Sequence, residues 1–382
     1  MNFGKRKGLT TNPATRPFWD GCRQWNRCRE VKTEMFKDIC INNKSCELMK
    51  SVNRPKYGSR TILTDSCWEY VALFLKRQSI SGASDALFYW EQAHSFYLAS
   101  QELPDNARPL TSYYCILNAA KALLRYKGVD DSRLKNHGIS SVRDDTNKTN
   151  IKEACTSIKG AGVLPELSRY YGHNIVSGHY TMAELLYNIP CVHRAYCITF
   201  SKPEIFVPIS KPVFVKKDNS KEAWIKFEVS GRYANAKALK NLPSKFERDI
   251  GVDDKYVIRM KKRFNWDIHK PIEERKKALN KYHEKTRGYL FYIFGETKLW
   301  YIKKEVSGND NLANMPSTVL IFAVFHWISE LVRYNPKLFS KYMKSKQNWL
   351  LHEFINNALD QFVDEVGCEI TGEDIMCTGY RK

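Results

Sequence analysis

The stretch ARPLTSYYCILNAAKALLRYKG, residues 107–128, decides the fold class. Pro109 suits the first turn of a helix, where its missing N–H leaves no bond unmade. Gly128 suits the left-handed position just past a helix end. Between them Leu110, Tyr114, Leu117, Lys121 and Leu124 recur at i, i+4, i+7, i+11 and i+14, which predicts a helix that buries one face. That face carries more chemistry than packing needs. Tyr114, Asn118 and Lys121 share one side of the helix, and His137, in the NHGI that follows, can fold back onto them. Two readings stand. In one, Asn118 caps a backbone group, Lys121 snorkels and His137 is a satisfied loop histidine. In the other, Asn118, Lys121 and His137 are catalytic or binding residues of a polar pocket, with Lys121 meeting a phosphate and His137 giving or passing a proton.

Outward from this helix, residues 66–77 and DALFYWEQAHSFYLASQ repeat the helical pattern, the second with Ser84 or Asp85 as its cap. Residues 138–200 read as short helices and loops. Near residue 204 the pattern changes to alternation. EIFVPISKPVFVKK and EAWIKFEVSG are predicted strands around the turn KDNSK, and GYLFYIFGETKLWYIKK is predicted as a second hairpin around Gly295. From Pro316 the helical period returns. The predicted class is α+β, predominantly α, a helical core with a small antiparallel β-hairpin insertion. It divides into an irregular basic arm (1–60), a helical N-terminal half (61–203), hairpins with a basic helical segment (204–315) and C-terminal helices with an acidic tail (316–382).

Charge is segregated. The chain carries a net +20, residues 1–60 hold 14 Lys or Arg against 5 acids, and residues 255–304 hold 15 against 5. Residues 347–376 carry seven acids and no Lys or Arg. A basic excess of this kind favours a polyanionic partner. In the central window Tyr256, Phe264, Trp266 and Tyr282 alternate with Lys261, Lys262, Arg263, Arg275, Lys276 and Lys277. Cations that neutralise phosphates, interleaved with rings that stack on unpaired bases, suit single-stranded or structured RNA. The plainer reading is an amphipathic helix with buried rings and wet lysines.

The start MNFGKRKGLTTNP is basic with no apolar segment behind it, so no secretory signal is expected. The run STVLIFAVFHWISELV is interrupted by His326 and Glu330 and falls short of the about 20 apolar residues of a spanning helix. A cytoplasmic location follows, with no membrane partner, and eleven cysteines are expected as free thiols. Cys22 and Cys28, and Cys40 and Cys46, are spaced C-x5-C, unlike most zinc knuckles, and His173 with His179 lacks a familiar ligand set. No metal and no cofactor is expected.

The segment from DALFYWEQAHSFYLASQ through LRYKG, followed by NHGI, resembles bacterial YaaC-like proteins. FAVFHWISELVRYNPKLF, with Arg-Tyr-x-Pro at 333–336, is similar to that family's second helix. More distantly, Tyr-Tyr followed by Ala-Lys-Ala-Leu-Leu, a glycine and a histidine is similar to the HEPN helical superfamily. That likeness implies a HEPN-like helical core. It also implies candidate ribonuclease chemistry at an Arg-x(4–6)-His pair, which only Arg263 and His269 fit here. The leading expectation is a YaaC-like protein that binds nucleic acid, RNA above all, within a bacterial defence or stress system. The alternatives are a HEPN-type metal-independent endoribonuclease, and a non-catalytic interaction subunit with basic faces that dock a protein partner or a second copy.

Overall fold

A computed structural model describes residues 36–142, 150–237, 239–249, 256–295, 297–305 and 315–377. The first strands are β1 (Phe36–Asp38), β2 (Cys40–Ile41), β3 (Lys44–Ser45) and β4 (Ile62–Thr64), before helices α1 (Cys67–Lys76), α2 (Ala83–Gln101) and α3 (Arg108–Tyr126). A mixed stretch follows: β5 (Ile139–Ser141), β6 (Cys155–Ile158), α4 (Val163–Tyr170), β7 (Gly178–Thr181), α5 (Met182–Tyr187) and α6 (Pro190–Phe200). Next come β8 (Phe206–Lys217), β9 (Glu222–Val229), β10 (Phe246–Arg248), β11 (Tyr256–Met260), β12 (Phe264–Asn265), α7 (Ile272–Arg287), β13 (Leu290–Ile293) and β14 (Leu299–Lys303). The chain closes with α8 (Ser317–Tyr334), α9 (Pro336–Met343), α10 (Asn348–Thr371) and β15 (Ile375–Cys377).

Local signals explain several helix ends. Ser66 caps α1 by accepting from the Glu69 N–H, and Thr181 and Glu184 form a reciprocal capping box on α5. Gly82, not Ser84 or Asp85, stands at the start of α2. α3 has Pro109 in its first turn and is followed by Gly128 at φ +85°. It is more central than its apolar period suggests. It packs against α2, α4, α8 and α10, so Tyr113, Ile116, Ala120 and Leu123 are buried, while Leu110, Tyr114 and Lys121 lie on its half-exposed edge. Alanines fill the tight contacts, and a pattern read from large residues misses them.

The predicted helical core with a small hairpin insertion is corrected by the sheet. Both hairpins form, β8 with β9 and β13 with β14, but they are parts of one eight-stranded antiparallel sheet. Its order is β10-β11-β9-β8-β14-β13, with β1 also on β8 and β12 also on β9. The joining pair is long-range: Trp300 stands opposite Ile209, and Ile302 opposite Val207. β1, from the end of the basic arm, pairs Phe36 with Lys217. The sheet has its own core, in which Leu279 and Tyr282 of α7 meet Phe214, Trp224 and Ile225. Residues 138–200 likewise contain a three-stranded sheet, β5-β6-β7.

α10 is the seam between the helical core and this sheet. Its acids are not a solvated tail: Asp364, Glu365 and Glu369 are buried. Asp364 takes Lys50 and the Tyr292 hydroxyl, and Glu369 takes the backbone N–H groups of Val52 and Asn53 at 2.6 and 2.9 Å. Gln361 holds the end of β13 through the N–H of Phe294, the residue just after it (2.7 Å), and the Tyr292 carbonyl (3.1 Å). Buried charges need such partners, because desolvation is otherwise uncompensated. Among the described residues no helix is long and apolar enough to cross a membrane.

Candidate nucleic-acid interface

At this seam lies an open cleft of about 690 Å³ lined by Lys245, Lys261, Lys262 and Lys285, with Tyr171, His173 and Tyr289 among its other walls. Strand pairing places the first two cations. Phe246 stands opposite Met260, and the next rung joins the Lys261 N–H to the Lys245 carbonyl at 2.8 Å. The Lys262 carbonyl accepts from the Tyr282 hydroxyl at 2.8 Å, which ties the β11–β12 turn to α7. α7 then presents Glu284 and Lys285 one turn later. Lys245 bonds the Tyr289 hydroxyl and sits 4.8 Å from that ring's centre.

The opposite wall comes from the end of α4. The His173 N–H reaches the Ser168 carbonyl and the Gly172 N–H the Arg169 carbonyl, the double bond pattern that closes a helix. Gly172 is at φ +78°, which a residue with a Cβ adopts only with strain. This reversal turns Tyr171 and His173 toward the cleft. Burial holds His173 below the usual imidazole range.

Behind the cleft, sharing Tyr171, His173, Glu284 and Gly288 with it, is a recess of about 40 Å³ that also meets Arg287, Ser317 and Glu365. Oε1 of Glu365 accepts from Ser317 at 2.5 Å and from Gln361 at 2.6 Å. Burial pushes the Glu365 carboxyl up to about 7, against the opposing pull of Ser317, Gln361 and Arg287. Arg287 is buried, bonded to the carbonyls of Leu290 and Lys50, and its Nε has no partner.

The six cations singled out from the sequence separate. Lys261 and Lys262 line the cleft. Arg263 turns inward instead, with its guanidinium 4.3 Å from the Trp224 ring and 2.6 Å from the Met260 carbonyl. Arg275 lies over Trp266 at 5.3 Å, Lys276 pairs with Glu273, and Lys277 is exposed. Trp266 and Tyr282 are core residues, so they offer no stacking face. Arg263 is occupied by Trp224 and Glu247, and His269 lies in the loop before α7 beside Asp267. No contact joins Arg263 to His269 among the described residues.

Asn118, Lys121 and His137 form no bonds to one another. Asn118 donates to the Tyr114 carbonyl of its own helix at 2.8 Å, and Lys121 sits 5.2 Å from the Tyr89 ring centre. His137 Nδ1 is 2.8 Å from the hydroxyl of Tyr113, the other tyrosine of the pair. Gly138 fixes this turn: at φ +78°, an added Cβ would stand 2.3 Å from Pro165 Cδ. His326 of α8 joins the group, 5.2 Å from the Tyr113 ring and 6.3 Å from that of His137. Its Nδ1 is buried and unpartnered. Burial and the nearby Lys121 charge lower His137, and burial takes His326 down to about 3.

Sequence reasoning missed Lys245, Lys285, Arg287 and Glu365. The two lysines look like any surface lysine. The signal for Glu365 was present in QFVDEVGCEI, where acids interrupt an apolar helical period. Among the described residues no group of His, Cys, Asp or Glu could hold a metal ion, and the buried Cys46, Cys67, Cys115, Cys197 and Cys368 are free thiols. Cys22 and Cys28 lie outside the described residues.

A protein-family model described as YaaC-like Protein matches residues 55–370. No curated protein and no solved structure matches the chain.

Proposed function

The chain belongs to the YaaC-like family, and from that footing we propose that it binds nucleic acid, single-stranded RNA first, along the lysine-lined cleft. The observation that carries this reading is the gathering of Lys245, Lys261, Lys262 and Lys285 on one concavity against a single carboxylate, Glu284. Four ammonium groups held together repel one another, and a polyanion relieves that repulsion while releasing its own counterions. The cleft's size suits a ligand unit as large as a nucleotide. A concave, partly aromatic wall fits an unpaired strand better than the regular face of a duplex.

The test is a salt titration of binding between the full chain and a fluorescently labelled single-stranded RNA. Each neutralised phosphate contributes roughly −0.7 to the log–log slope, so three or four cleft lysines give a slope of about −2 to −3. A slope near zero would contradict the reading and favour an acidic protein partner, whose shape-matched contacts are less sensitive to salt.

A further inference from the structure

We infer that the recess behind the cleft is a hydrolytic site, in which Glu365 acts as general base on a water that attacks a phosphoester of the bound strand. This rests on the nucleic-acid-binding reading and deepens it by assigning the same cleft a reaction.

Three observations converge on the recess. First, it adjoins the cleft, since both are lined by Tyr171, His173, Glu284 and Gly288. Its volume of about 40 Å³ holds a few waters and excludes a sugar or a base. Second, both donors that reach Glu365 fall on Oε1. Oε2 accepts from no described residue, so a base lone pair is left for a water in the recess. Ser317 on α8 and Gln361 on α10 fix the carboxyl plane from two helices, the kind of preorganisation a general base requires. Third, Arg287 lines the same recess as a buried guanidinium whose Nε has no acceptor. A fixed positive charge there stabilises the charge that builds on phosphate oxygens during attack.

The groups facing Glu365 are Arg287 and Glu284 from α7, Tyr171 and His173 from the end of α4, Ser317 from α8, Cys191 from α6, Tyr292 from β13, and Asp364 on its own helix. Among these Arg287 is the one permanent cation, and it adds to the hydrogen bonds from Ser317 and Gln361 in opposing the effect of burial on the carboxyl. A base that titrates near 7 has its ionised form available at neutral pH and still accepts a proton readily.

In the step itself, the water oxygen forms a bond to phosphorus as its proton passes to Glu365 Oε2. The bond from phosphorus to the leaving sugar oxygen breaks, and that oxygen takes a proton from solvent at the open mouth. One water is consumed and nothing is oxidised or reduced. The lysines of the cleft hold the flanking phosphates.

The experiment measures binding and cleavage together, using the full chain and an end-labelled single-stranded RNA from pH 5.5 to 8.5. The expected result is cleavage whose rate rises through about pH 7, with ends that carry no 2′,3′-cyclic phosphate. Glu365→Gln should lower the rate by at least about a hundredfold and leave affinity within about threefold. Binding without cleavage by the unaltered chain would overturn this inference and leave the binding reading standing. Absence of binding would overturn both. A cyclic phosphate end would mean the 2′-hydroxyl is the nucleophile, and the water step would be wrong. If Glu365→Gln does not fold, Ser317→Ala decides. It removes a donor that favours the carboxylate, so the rising limb of the rate profile should move to higher pH, and an unmoved limb overturns the assignment.

Discussion

The Lys50 ammonium lies 2.9 Å from both carboxylate oxygens of Asp364, and both side chains are almost wholly buried. The same ammonium donates to the Ile375 carbonyl at 2.7 Å, and Asp364 also accepts from Tyr292 at 2.8 Å. This one ion pair ties the segment before α1 to α10 and to the sheet. Breaking a buried pair from one side leaves an uncompensated charge, which costs far more than the pair itself contributes. Lys50→Met should therefore destabilise the protein by about 3–5 kcal/mol in urea unfolding. A loss under about 1 kcal/mol would show that water reaches Asp364.

Lys121 behaves differently. It is half-exposed and rests on Tyr89, so Lys121→Met should change stability by less than about 1 kcal/mol, the scale of one exposed cation–π contact. The Lys121 charge also lowers His137. Its removal should raise the His137 pKa, read by NMR titration of the imidazole. A pKa that stays put or falls would contradict the described electrostatics.

His283 gives the clearest pH dependence. It is fully buried, with Nε2 on the Ser51 carbonyl at 2.8 Å and the Tyr57 hydroxyl on Nδ1 at 2.6 Å. Burial lowers it to about 3, while the unfolded chain titrates near 6.5. Between those values the unfolded state holds more protons, so stability falls as pH drops from about 6.5 toward 3. His283→Gln should flatten the stability profile between pH 4.5 and 6 by up to about 1.4 kcal/mol per pH unit. Parallel profiles for the two proteins would refute the buried, neutral assignment.

Local punctuation carried much of the fold into the sequence. Pro109 and Gly128 bound α3, KDNSK turns β8 into β9, and Ser66 caps α1. What was not legible depends on distance along the chain. β10 and β12 have three and two residues, too few to show a period, and β14 finds β8 about 90 residues away in sequence, as the Trp300–Ile209 pairing shows. The acids of α10 read as a free acidic segment because their partners, Lys50, Tyr170 and Tyr292, come from elsewhere in the chain. The cleft was half legible. Lys261 and Lys262 stand out as neighbours, whereas Lys245 and Lys285 reach them only through the β10–β11 register and the packing of α7.

The most direct test of the cleft compares two charge reversals from the same basic window. Lys261→Glu with Lys262→Glu alters the cleft itself, whereas Lys276→Glu with Lys277→Glu alters α7 outside it. All four are solvent-side lysines with no role in the core, so neither pair should unfold the protein. Affinity for single-stranded RNA at about 0.1 M salt, where phosphate contacts still count, is the quantity to measure. The cleft pair should lose at least about tenfold, the scale of one charge-assisted phosphate contact at roughly 1.5 kcal/mol, while the α7 pair stays within about threefold. Equal losses would reduce the cleft to a share of a general basic surface, and no loss in the cleft pair would contradict it outright.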